Sequence, residues 1–395
     1  MKPIKITIQG SFLDCQLYRG RLYLWTFDGK LCVYNWNGLV DSLMADEKDF
    51  LAFKYSFKEG SALYTPSLVD FLNDDDVNSL LKKKISSLES YKLMIDESLL
   101  KKNLIGEMDT LLGDLPIDTE IYNNYLYFST ERGLFRSTAH KKSGNPVSNR
   151  PFKLWDARIL SMRANRYPQM AISAGDDGLF EMFTGEKENH TLGLNQIERN
   201  IFKVSEKHST FANYSNLSIY SSSLSGISYL ALFKWEKSVE SNDYSCRKYS
   251  EIFDSFSIFG DNSKSLSWGG DGKFFKITET GFNIVAFDNY GKSDIFTAMR
   301  EYKESMNKGR VIGGSSAYFG NIVEFEEGLL IVQSDGNSLF IDQPVIRWRI
   351  YPRSKNYENQ LHVLLDDCME IYSFNHDYFL SQSDKIIGIN YVGER

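Results

Sequence analysis

Residues 170–183 read MAISAGDDGLFEMF: an apolar run, an Asp-Gly pair and a second apolar run. Asp-Gly between two apolar runs is a strong short-range signal for a β-hairpin, because the tight turn needs a positive φ that glycine adopts without steric cost. Six further stretches repeat the arrangement: LYLWTFDGKLCVY at 22–34, YLYFSTERGLFRS at 125–137, IYSSSLSGISYLALF at 219–233, LSWGGDGKFFKI at 266–277, LLIVQSDGNSLFI at 329–341 and HVLLDDCMEIYSF at 362–374. Their turn pairs are Asp28-Gly29, Arg132-Gly133, Asp177-Gly178, Ser225-Gly226, Asp271-Gly272, Asp335-Gly336 and Asp367-Cys368.

The spacing carries more than any one copy. From Gly133 to Gly178, Gly226 and Gly272 the steps are 45, 48 and 46 residues. A four-stranded propeller blade takes roughly 40–50 residues. The step from Gly29 to Gly133 is 104 residues, so a segment is inserted there. The steps of 64 and 32 residues to Gly336 and Cys368 together span two blades. The expected fold is all-β: a seven-bladed β-propeller with a helical insertion between the first two blades. The competing arrangement is an irregular pair of β-sandwiches. Strands near Arg158 and Val345 would complete their blades.

Taken as units, residues 1–61 read as the first propeller blade, 62–113 as the helical insertion, and 114–395 as the remaining blades with a closing strand. In the insertion, Thr65 and Pro66 form a helix-start signal, and Asp74-Asp75-Asp76 caps a helix expected over 77–100. Leu81, Ile85, Leu88, Ile95 and Leu99 recur there at helical spacing, with Tyr91 or Lys92 filling the gap; Tyr91 is taken with the stripe. Such a stripe must bury itself somewhere. It either packs on the propeller rim or binds a partner, and these six residues are the partner-binding candidates. Residues 50–57 (FLAFKYSF) read as a strand, and 294–308 (DIFTAMREYKESMNK) as a short helix. The apolar run 385–392 (KIIGINYV) is expected to join the strand near Ile4 and Gln9, closing the ring.

A ring of blades can hold most of 395 residues as one domain, since each blade buries its face on the next. Aromatic content of 14% suits packed strands. The net charge of −7 argues against non-specific nucleic-acid binding. The four cysteines show no CxxC spacing and read as reduced thiols, with Cys32–Cys368 the one pairing considered. The first ten residues lack the apolar core of a signal peptide, and no run has the ~18 apolar residues of a membrane helix. The expected setting is cytoplasmic, without a membrane.

In period and hairpin pattern the chain resembles the WD40-type seven-bladed propellers. Its Trp-Asp dipeptide occurs only at Trp155-Asp156, upstream of a hairpin, and the Gly-His pair is absent. The resemblance implies a platform that holds partners on one face of the ring. Fold alone does not fix function.

Few residues suggest chemistry. The five histidines lie outside metal-binding spacings, and no nucleophile elbow or P-loop occurs. No catalytic, cofactor or metal residue is assigned, and no cofactor is expected. Asp176-Asp177 and Asp366-Asp367 are explained by turn chemistry. Arginines stand out: Arg158 and Arg163 precede the third hairpin, and Arg347, Arg349 and Arg353 precede the seventh. Alternate strand positions share a face, so Arg347 and Arg349 point together, away from Trp348. Guanidinium forks suit carboxylate or phosphate, so these five are candidate anion-binding residues. Otherwise they pair with the protein's own acids. The function expected is a non-catalytic scaffold for protein–protein interaction within a larger assembly. A nucleic-acid- or nucleotide-binding subunit using the arginine strands is the second reading, and an enzyme acting at the central channel the third. The expected partner is a protein; nucleic acid is not favoured.

Overall fold

The structure, a computed structural model, describes residues 2–43, 50–58, 73–139, 145–165, 167–185, 191–237, 245–270, 272–288, 295–305, 308–354 and 356–380. Seven small antiparallel sheets stand in a ring. Blade 1 begins at the axis with Phe12–Tyr18 and continues outward through Arg21–Thr26, Lys30–Asn35 and Leu104–Asp109. Blades 2 to 6 start with Asp118–Tyr122, Ser161–Ala164, Phe211–Ser215, Ser267–Gly270 and Val311–Ala317. Blade 7 starts with Arg347–Ile350 and runs through Gln360–Leu364 and Cys368–Ser373. Inner strands of neighbouring blades touch around the axis from blade 7 through blades 1 to 6. The chain is a seven-bladed β-propeller.

The core is divided. Seven apolar clusters each fill one join between neighbouring blades. A middle strand is therefore covered on both faces. Gln169–Ser173 and Leu179–Phe183, the two strands of the hairpin at 170–183, are buried at every residue. This explains why they read as apolar runs more than as alternating ones. At their turn Gly178 has φ 104°, and a Cβ there would sit 2.1 Å from the Ser205 carbonyl oxygen. Asp177 is not in the left-handed region; the loop spends a positive φ on glycine alone of the pair.

The ring closes through its N-terminus. Ile4–Gln9 pairs antiparallel with Cys368–Ser373 and supplies the fourth strand of blade 7. The segment 385–392, expected in this role, lies outside the described residues.

The helical insertion precedes blade 2, as expected. It leaves after Lys30–Asn35 and rejoins as Leu104–Asp109, the outer strand of blade 1. Its details differ from the sequence reading. The strand expected over 50–57 is a short helix, Phe50–Phe53, followed by a π turn, Lys54–Lys58. Ala52, Phe53, Ser56 and Phe57 are buried there, a helical spacing. The helix expected over 77–100 is Asp75–Ser87, with Asp74 capping the amides of Asp76 and Val77. Beyond it, Leu93–Ile95 runs parallel to Ile6–Ile8 and covers the outer edge of blade 7. An exposed strand edge offers pairing that outweighs helix propensity. The Thr65-Pro66 signal lies outside the described residues.

The short helix expected after residue 294 is a strand, Phe296–Lys303. Phe296 packs on Phe253, Phe274 and Phe287, and Tyr302 on Phe282. These contacts fix it as the outer strand of blade 5. The uneven hairpin spacing also finds its cause. Five of the seven recurrent turns join the two middle strands of a blade, but Gly272 follows an inner strand and Gly336 precedes an outer one. The middle turns of blades 5 and 6 end instead at Gly281 and Gly328.

Candidate functional site: the central channel

The inner strands enclose a channel of about 980 Å³ lined from all seven blades. Four of the five candidate arginines meet in it. Arg349 grips Asp14 bidentately, Nε to Oδ1 at 2.9 Å and Nη2 to Oδ2 at 2.7 Å, and its Nη2 also lies 2.8 Å from Asp118 Oδ1. Arg347 donates to Asp14 Oδ2 (3.1 Å) and to the Ile117 carbonyl (2.9 Å). Arg163 donates to Asp118 Oδ2 (3.2 Å) and to the Met162 carbonyl (2.6 Å). Arg347 and Arg349 share a face, while Trp348 turns the other way and donates to Glu324 Oε2 at 2.7 Å. The fifth, Arg158, stands outside the channel and pairs with Glu131 at 3.0 Å.

This network stitches blades 7, 1, 2 and 3 together, and its heart is dry: Asp14 is wholly buried. Burial by itself would raise the pKa of Asp14, but the charges of Arg349 and Arg347 outweigh it and hold the carboxyl below its usual range. Burial likewise opposes the charge on Arg349, and Asp14 and Asp118 reverse that, so its pKa rises. Other joins carry polar pins of their own. Tyr220 reaches Ser267 and Trp268 reaches Ser316, while Gln16 adds a bond to Thr119 within the join of blades 1 and 2. Between blades 3 and 4, Arg247 pairs with Glu181, which also accepts from Tyr214 at 2.8 Å.

One end of the channel is crossed by the loop after Ile350. Arg353 donates to the carbonyls of Ala164 (2.7 Å) and Tyr214 (3.1 Å) on the opposite wall. The hydroxyl of Tyr357 accepts from the Gly20 amide of blade 1 at 2.8 Å. Blades 5 and 6 present bare backbone to the channel at Gly269, Gly270, Gly313 and Gly314. Glycine is forced at 314, where a Cβ would lie 2.5 Å from the Trp268 ring.

Behind this wall Cys15, His362 and Tyr351 pack together, with Cys15 Sγ 3.9 Å from His362 Nδ1. Burial drives the His362 pKa down to about 3 and the Cys15 thiol up, so both groups are neutral. Among the described residues no group of three or more His, Cys, Asp or Glu is placed to hold a metal ion. Cys32 and Cys368 are free thiols.

The six arm residues are placed differently from a projecting face. Ile85, Leu88 and Ile95 are fully buried in the wedge between blades 7 and 1, and Leu81 and Leu99 pack against it. Tyr91 alone among them is exposed. Sequence reasoning missed Asp14, Asp118 and Glu120. The available signal was a carboxylate among apolar neighbours at Asp14 in FLDCQLY; DTEIY, with Asp, Thr and Glu in five residues, offered no such contrast.

No family model matches the chain, and no curated protein matches it. Among solved structures, the computationally designed Ika8 protein is similar at 7% identity and a TM-score of 0.44, over 95% of this chain and all of its own. Human WBSCR16 is similar at 10% identity and a TM-score of 0.40, over 69% of this chain and 90% of its own. Among the described residues no helix is long and apolar enough to cross a membrane.

Proposed function

We propose that the protein is a propeller scaffold that holds a protein partner at the join of blades 3 and 4. The observation that supports this reading is an aromatic pair on the outer surface. Tyr167, from the loop after the inner strand of blade 3, meets Trp235, from the long third strand of blade 4, edge to face at 6.4 Å. The two rings remain 53% and 42% exposed. Large aromatics left half in water, yet already ordered against each other, match the anchors that dominate binding energy at protein interfaces. The propeller fold fits the same reading, since a ring of rigid blades presents its loops without moving.

A photo-crosslinking amino acid placed beside Tyr167 tests it. One saturable protein partner is expected. Its affinity should fall at least tenfold in Trp235→Ala and be unchanged in Leu80→Ser on the arm, where Leu80 is 57% exposed. Binding that survives both Trp235→Ala and Tyr167→Ala sinks the reading.

A further inference from the structure

The charged groups of the channel do not balance locally. Arg163, Arg347 and Arg349 converge on two carboxylates, Asp14 and Asp118. Arg163 and Arg347 approach the same Asp118 carboxylate from different blades, at 3.2 and 3.9 Å, so one small anion can touch both. Both side chains are partly open to the channel, at 37% and 25% exposure. Among the described residues, the hydrogen bonds of Arg163 all leave from one nitrogen, Nη1, and a guanidinium carries five N–H donors.

Next to this cluster, on the channel wall, stands Glu120. Among the described residues its carboxyl takes part in no hydrogen bond or ion pair. The charged groups that face it are Asp118 on its own strand, Arg163 from blade 3, and Arg349 and Arg353 from blade 7. Facing it across the channel, blades 5 and 6 contribute glycine backbone, and blade 6 also places Ser315, Ser316, Tyr318 and Glu324 on the wall, Glu324 being held by the Trp348 ring nitrogen.

We propose that the channel is a binding site for a small molecule bearing a carboxylate or phosphate, held between Arg163 and Arg347 and admitted when Glu120 takes up a proton. Ionised, Glu120 is the counter-charge of the cluster and repels an incoming anion. Protonated, it leaves three guanidiniums against two carboxylates and can itself donate a hydrogen bond. Burial holds its pKa up at about 7 despite the arginines, so the exchange falls near neutrality. This site is independent of the aromatic pair on the outer surface.

Calorimetric titration of the full chain with sulfate and with oxalate, both fully ionised from pH 6 to 8, tests the proposal. Sulfate stands in for phosphate and oxalate for a carboxylate; binding of either supports the site and tells which chemistry it prefers. The wild type should bind about tenfold tighter at pH 6 than at pH 8. Glu120→Gln should bind equally at both, with the pH 6 affinity, and Arg163→Gln should lose at least tenfold. No binding of either ion at pH 6 overturns the proposal. So does a pH dependence that persists in Glu120→Gln, which keeps the test decisive even where Arg163→Gln fails to fold.

Discussion

Two buried side chains favour unfolding in acid. His362 is wholly buried, with Nε2 3.1 Å from Gln360 Oε1, and its folded pKa of about 3 lies far below the unfolded value near 6.5. Because the folded pKa is depressed, the unfolded chain binds the proton first. The His362 contribution to stability is complete above about pH 6.5 and falls as pH drops toward 3, by up to about 1.4 kcal/mol per unit. Glu120 works against this between about pH 7 and 4.5, because its folded pKa is raised and the folded chain takes up that proton first. Denaturant titrations of wild type and His362→Gln from pH 7 to 4 should therefore differ by the His362 slope, with the variant losing less stability on acidification. Asp14 acts in the same direction as His362 at lower pH, since its pKa is also depressed. Asp14→Ala would leave Arg349 buried without its bidentate partner, at an expected loss of about 3–5 kcal/mol in unfolding free energy. The double variant Asp14→Leu/Arg349→Met should lose much less than the sum of the two single changes, because it removes both charges. The arginines of this network were visible in the sequence, and so was the shared face of Arg347 and Arg349. Their partners were not: Arg347 and Arg349 reach Asp14 and Asp118 only when blade 7 meets blades 1 and 2 across more than two hundred residues of chain, and Arg163 reaches Asp118 across the join of blades 2 and 3.

At the scale of elements, the insertion is a wedge. Trp36, Leu39, Val40, Phe53, Phe57, Ile85 and Leu88 join one apolar cluster with Ile4, Ile6 and Ile8 of blade 7 and Leu22 and Leu24 of blade 1. The π turn is tied to blade 7 as well: Asn359 and Ser373 donate to the Ser56 carbonyl, and Gln360 to that of Phe57. Ile85→Ala or Leu88→Ala should therefore cost about 2–5 kcal/mol each in chemical denaturation. Leu80→Ser, on the exposed side of the same helix, should stay within about 0.5 kcal/mol of wild type. The stripe itself was legible from its spacing; the surface that covers it was not, because an amphipathic pattern shows that a face is buried without showing against what. Turns were legible to a similar degree. Gly178→Ala meets both an unfavourable φ and the Ser205 carbonyl, and an expected loss of about 2 kcal/mol or more is readable from the thermal midpoint. Yet a glycine in the sequence marks a turn without marking which two strands it joins, so Gly272 and Gly336 fell out of phase with the other copies.

For the whole molecule, the decisive event is closure. Ile4, Ile6 and Ile8 are each no more than 1% exposed, and their strand completes blade 7 at the far end of the chain. Each such side chain contributes about 1.5–3 kcal/mol on burial, so losing the strand removes much of the 5–15 kcal/mol that holds a domain folded. Deleting residues 1–10 should give a chain that elutes as aggregate in gel filtration and lacks a cooperative thermal transition. A cooperative monomer from that deletion would show that the ring does not depend on this clasp.

Within the recurrent hairpins, local order was determined by the sequence alone: apolar runs, the turns between them and their near-constant period follow from strand-forming side chains and from glycine's backbone freedom, both properties of neighbours along the chain. Seven repeats of one unit that cannot bury its own faces leave a closed ring as the natural solution. What only the tertiary structure decided were the contacts between distant segments. The clasp by Ile4–Gln9, the turning-in of the helical stripe, and the meeting of Arg163, Arg347 and Arg349 with Asp14 and Asp118 all depend on which blade lies beside which. Burial and charge pairing are set by neighbours in space, and those neighbours exist only once the circle is complete.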